Sequence, residues 1–136
     1  MTRRESRIQA FQLLFCADFR RDEPIAQIFR TEEDAASEEW NDYIKAVYFG
    51  VQEKKEEIDA LICENANGWK LTRLARVTLA LLRLATYEML YVEDVPYEAA
   101  INEALELAKV YDDEKSVAFI NGVLNAIATK KGLKEA

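Results

Sequence analysis

Histidine is absent from the chain, and with it go the commonest general base and the commonest metal ligand. Glycine is sparse: Gly50, Gly68, Gly122 and Gly132 stand singly, so there is no glycine-rich loop to cradle a nucleotide phosphate. Cysteine is limited to Cys16 and Cys63, each in an apolar context, and the sequence has neither a signal peptide nor a long apolar run. That combination is expected of a cytoplasmic chain with free thiols and no membrane span. Carboxylate pairs are plentiful, but on helices such pairs usually form solvated faces. The expectation is a non-catalytic protein without metal or cofactor, and its 136 residues suit one domain with a real core.

Positive charge is also in deficit, at 18 Lys and Arg against 25 Asp and Glu for a net charge of −7. An acidic chain is ordinarily a poor nucleic-acid binder. The excess is confined, however, to residues 22–42, where eight acidic residues face Arg30 alone; elsewhere the two signs balance. A neutral body with basic edges retains local affinity for a polyanion, and the acidic segment restricts where that polyanion lands.

The stretch TRLARVTLALLRLATYEMLY, residues 72–91, is the one on which the fold should centre. Val77, Leu81, Leu84 and Tyr91 make one apolar row at helical spacing, and Leu79, Leu82 and Met89 a second. Apolar coverage on so many faces predicts a buried helix. Its one charged stripe carries Arg73, Arg76 and Arg83, which reads either as a wet edge along which arginine stems lie or as a phosphate-binding edge.

A capping box at Thr2 and Glu5 predicts a first helix from the N-terminus to about Phe19, with Ile8, Phe11, Leu14 and Phe15 inward. Arg3, Arg4 and Arg7 occupy its first two turns, where cations oppose the helix dipole, and this suggests an anionic ligand. Pro24 opens a short helix to about residue 33. Ser37 is then a candidate cap for one long amphipathic helix over residues 38–66, whose seam of Trp40, Ile44, Val47, Val51, Ile58 and Leu61 is interrupted only by Lys54. Asn65, Asn67 and Gly68 end it. Pro96 starts a helix to about Tyr111, and residues 112–114 start the last one, which closes near Gly132. With no alternating β pattern, the fold class is all-α: about six or seven helices in two lobes, near 1–68 and 69–136, around the central helix.

The segment DVPYEAAINEALELAKVYDDEKSVAFINGVLNAI, residues 94–127, resembles the C-terminal signature of the NusB transcription antitermination family, which reads DVPY, INEAxELAK and KFVNGVL. LLRLATYEM resembles the family's ILRLAxYEL, and RRESRIQAFQLLF its basic RxxAxQxLY opening. The resemblance implies two three-helix lobes and an RNA-binding protein without catalysis. It also implies pairing with the ribosomal protein NusE, binding of single-stranded boxA RNA in ribosomal RNA leader transcripts, and a role in the RNA polymerase antitermination complex. Carried over by position, Arg3, Arg4 and Arg7 match the RNA-contacting start, Phe15 the family aromatic, Arg83 the central-helix arginine, and Asn121 and Gly122 the NG pair; Arg76 and Lys115 complete the expected RNA-binding set. The chain departs from the pattern at Leu79 (commonly arginine), Phe15 (commonly tyrosine), Lys115 (often aspartate) and Ala118 (often lysine), which shifts the footprint rather than the family.

Five of the expected RNA-binding residues, Arg3, Arg4, Arg7, Arg76 and Arg83, should converge on one surface. Gly122, inside an apolar helix, suggests close approach of another helix or of a ligand backbone. The ribosomal partner is expected on the C-terminal lobe. The alternative readings are a protein-binding helical adaptor, or a relative of the NusB-like domains fused to ribosomal RNA methyltransferases; with 136 residues and no Gly-rich S-adenosylmethionine loop, the stand-alone factor is expected.

Overall fold

The computed structural model describes residues 1–134, and these form seven α-helices and one 3-10 turn, with no strand among them. Helix α1 (Arg3–Asp18) begins at the expected capping box: the Thr2 hydroxyl accepts from the Glu5 N–H, and the Glu5 carboxylate accepts from the Thr2 N–H. Helices α2 (Ile25–Ala35), α3 (Asp42–Glu53) and α4 (Lys55–Glu64) follow, then α5 (Arg76–Tyr91), α6 (Tyr97–Tyr111) and α7 (Glu114–Lys130). The all-α class is thus observed.

Helix α5 is the centre of the molecule. Every residue from Thr78 to Thr86 is buried, because α1, α3, α4, α6 and α7 all pack on it. Leu81 and Leu82 are fully enclosed, as the multi-faced apolar pattern requires. The helix starts later than its sequence suggests: Leu71–Arg73 forms a single 3-10 turn, and Leu74 and Ala75 are extended, so Arg73 is not on the α5 stripe.

The single long helix expected over residues 38–66 is instead two, α3 and α4, divided at Lys54, whose φ of −98° and ψ of 12° leave the helical range. Lys54 was the one polar residue on the apolar seam. Val51 and Ile58, on either side of it, are both buried, so the break preserves the inward face. Asn41, not Ser37, supplies the cap, accepting from the Ile44 N–H. Helix α3 crosses α5 at Gly50, where an added Cβ would overlap the Tyr87 ring. Asn67 and Gly68 carry positive φ just beyond α4, as expected of a helix stop. Both cysteines are free, and among the described residues no helix is long and apolar enough to cross a membrane.

Candidate nucleic-acid interface

The arginines that open α1 meet carboxylates from α6 and from the turn before it, and Arg7 reaches α5. Arg7 lies against Glu88 in a two-pronged pair, Nε to Oε1 and Nη2 to Oε2 both at 2.8 Å, with side chains only 6% and 1% exposed. Its Nη1 donates to Glu103 at 3.3 Å. Tyr43 closes over this pair, and burial, reinforced by the Glu88 charge, raises its phenol well above the ordinary range. Arg4 forms its own two-pronged pair with the outer side of Glu103 at 3.2 and 3.1 Å, but its side chain is 70% exposed. Arg3 pairs with the exposed Asp94 at 3.3 Å and lies 4.4 Å from the Tyr43 ring centre. The three cations that oppose the α1 dipole therefore have partners within the fold. Arg7 is a buried pin, whereas Arg3 and Arg4 are held in pairs that water reaches.

A second cluster forms at the other end of α1, because α1 and α5 run antiparallel. Asp18, almost fully buried, receives Arg76, Arg83 and Arg21. Burial alone would raise its carboxyl pKa, but the Arg76 hydrogen bond and the charges of Arg83, Arg21 and Arg76 outweigh that and hold it below the usual carboxylate value. Arg83 also grips Asp59 with two bonds at 2.8 and 2.9 Å. Lys55 faces the same cluster; burial first, and then the Arg83 charge, lowers its ammonium pKa.

The expected convergence of Arg3, Arg4, Arg7, Arg76 and Arg83 on one surface is not what the fold produces. Arg3, Arg4 and Arg7 stand at the start of α1 and Arg76 and Arg83 at its end, separated by some eleven residues or about 16 Å of helix. Arg7 and Arg83 turn inward to tie helices together, while Arg3, Arg4 and Arg76 keep solvent contact.

Aromatic side chains fill the interval. Helices α1 and α6 run parallel and are bridged by side chains, with Arg4 against Glu103 and Gln12 donating to the Tyr111 hydroxyl at 3.3 Å. Phe11 packs on Tyr111 at 5.1 Å and on Phe15 at 6.4 Å, and Phe15 packs edge-on to Phe19 at 5.0 Å. The row emerges from the core as it proceeds, since Phe11 is buried, Phe15 half-buried and Phe19 59% exposed. Tyr111 and the neighbouring Val110 are exposed too. The i, i+4 repeat of phenylalanine along α1 carried this signal in the sequence, but Phe19, Tyr111 and Val110 were not singled out there.

Lys115 is exposed on the first turn of α7, beside a groove of about 370 Å³ lined also by Trp69, Arg73 and Phe119. Trp69 is 54% exposed and meets Phe119 edge-on at 6.5 Å. Asn121 and Gly122 lie on the outer face of α7, where Asn125 donates to the Asn121 side-chain oxygen. A Cβ at Gly122 would meet nothing within 4 Å, so the close approach of another helix expected there is absent among the described residues.

Exposed guanidinium groups, a row of surface aromatics and a basic helix start suit a polyanion with stackable bases. The family model described as "NusB family" matches residues 4–129. A transcription antitermination protein NusB from Listeria monocytogenes serotype 4a (strain HCC23) is 44% identical over 131 residues, covering 94% of this chain and 97% of that protein. Among solved structures, a T. maritima NusB superimposes with a TM-score of 0.86 at 38% identity, covering 100% of this chain and 99% of that one. A chain from a complex of the antitermination factors NusB and NusE with double-stranded RNA gives a TM-score of 0.83 at 28% identity, covering 94% and 96%. On these grounds the chain belongs to the NusB family of transcription antitermination proteins.

Proposed function

We propose that the protein binds RNA as a non-catalytic antitermination factor in the cytoplasm: with the ribosomal protein NusE it holds single-stranded boxA RNA of ribosomal RNA transcripts and helps RNA polymerase resist termination. The observation that carries this reading is the α1–α6 face, on which exposed Arg4 leads along the Gln12 and Tyr111 pair to Phe15. Support for the RNA and NusE parts of this reading comes from the solved relative in complex with NusE and double-stranded RNA. Arg3, Arg4, Phe15, Arg76 and Lys115 are the direct contacts in this proposal; Asn121 and Gly122, exposed on α7, are proposed as further contacts. Arg7 and Arg83 act from beneath, by fixing α1 on α5. Bases stack on aromatic and guanidinium planes, and phosphates take the exposed cations. To do so they displace Asp94 and Glu103 from Arg3 and Arg4. That competition, together with the net charge of −7, makes binding weak for the protein alone and tighter with NusE.

The test is a competition between a single-stranded boxA RNA and its duplex, with and without NusE. Tighter binding of the single strand, strengthened by NusE, is expected. A protein that binds NusE but neither RNA would be the helical adaptor instead, and preference for the duplex would overturn the single-strand assignment.

A further inference from the structure

Phe19 caps the C-terminal end of α1 and is 59% exposed, a large apolar ring that contributes little to the core. The Arg76 guanidinium lies over it, 4.9 Å from the ring centre. Arg76 is fixed there by Asp18, which takes its Nη1 and leaves Nε and Nη2 without a protein partner among the described residues. The same carboxylate fixes Arg21, whose side chain is 64% exposed, through Nη2, while the Asp18 carbonyl takes Nε and leaves Nη1 outward. One buried acid thus orients two exposed guanidinium groups, one of them over the exposed Phe19 ring and the other two residues along the chain from it. Around it, Arg21, Arg76, Arg83 and Lys55 face Asp18 and Asp59, and the local balance stays positive even with neighbouring Asp22 counted, within a chain of net charge −7. Arg20 pairs with both Glu23 and Glu32, so that triad adds a net −1 and brings the wider neighbourhood to neutrality, still well above the balance of the chain as a whole.

We propose that Phe19, Arg76 and Arg21 form a second RNA subsite, in which a base stacks on the Phe19 and Arg76 pair and its phosphate is held by Arg21. This rests on the RNA-binding reading above and extends it beyond Phe15. Continuity supports a single strand as the occupant, since Phe19 prolongs the row that runs from Tyr111 through Phe11 and Phe15. The chemistry supports it as well, because a π surface with outward guanidinium donors matches one nucleotide, base and phosphate together. Asp18 is a positioning residue: it aims both guanidinium groups and touches no ligand.

The experiment measures affinity for a labelled single-stranded boxA RNA, and for the same RNA shortened from either end, with Phe19→Leu, Phe19→Tyr, Arg21→Ala, Arg4→Ala and Lys115→Ala. Phe19→Leu should weaken the full-length RNA about 5- to 100-fold while Phe19→Tyr retains affinity, since stacking needs an aromatic face. Arg21→Ala should flatten the salt dependence by about one unit. RNA shortened at the end that lies on Phe19 should lose this sensitivity. If the Phe19 and Arg21 variants bind like wild type while Arg4→Ala and Lys115→Ala weaken binding, the subsite is overturned and the RNA-binding reading stands. If none of the variants changes RNA affinity, both fail. If Phe19→Leu weakens NusE binding alone, the ring is a protein contact and the subsite is likewise overturned. Phe19 being exposed, the circular dichroism and urea midpoint of these variants should match wild type.

Discussion

Arg7 replaced by alanine would leave the Glu88 carboxylate buried without its counter-charge, a change that costs about 3–5 kcal/mol. Urea unfolding should show that loss, whereas Arg4→Ala, at a 70% exposed position, should leave the midpoint nearly unchanged and weaken RNA binding by about 1–3 kcal/mol. Equal midpoints for the two variants would contradict the division of the basic helix start into an inner pin and outer contacts. The glycines divide in the same way. Gly122→Ala fills open space on a helix and should stabilise by up to about 1 kcal/mol, whereas Gly50→Ala must push Tyr87 aside and should destabilise by about 1–3 kcal/mol. Sequence exposed the arginines as a group but not their partners: Glu88 lies 81 positions from Arg7, and Asp18 lies 65 from Arg83. Pairings at such separation leave no periodic trace. Phe19 was equally hidden, since a phenylalanine on an apolar row reads as core until the helix ends beneath it.

Among the elements, the clearest sequence signals were local ones. The Thr2 and Glu5 box is realised atom for atom, and Thr2→Ala should cost about 1 kcal/mol of stability, measurable by thermal or urea unfolding. Proline, glycine and apolar period located the helices, because each acts within a turn or two of itself. The division between α3 and α4 escaped because a one-residue break at Lys54 leaves the seam in phase, so the spacing of Val51 and Ile58 is that of a continuous helix. The delayed start of α5 escaped for a related reason: residues of a 3-10 turn fall on apolar positions as readily as those of a first helical turn. The packing of five helices on α5 makes it the element whose truncation should hurt most. Leu81→Ala or Leu82→Ala should cost about 2–5 kcal/mol.

For the molecule as a whole, charge is what connects stability to function. Asp18 holds its proton less tightly folded than unfolded, so its contribution is complete above its unfolded pKa of about 3.9 and is lost as pH falls through its lower folded value. The stability gap between wild type and Asp18→Asn should therefore be widest near neutral pH and shrink on acidification, and a gap that is independent of pH would contradict the ion-pair role. The acidic stretch over residues 22–42 begins beside this cluster, at Asp22, and sets the long-range repulsion that RNA must overcome. The measurement that tests the central claim most directly is a salt titration of affinity for single-stranded boxA RNA, with and without NusE, for wild type, Arg4→Ala and Lys115→Ala. The expected result is weak binding alone, tightening with NusE, and a salt slope about one unit shallower for each variant. Wild-type affinity and slope in both variants, with native circular dichroism, would contradict it.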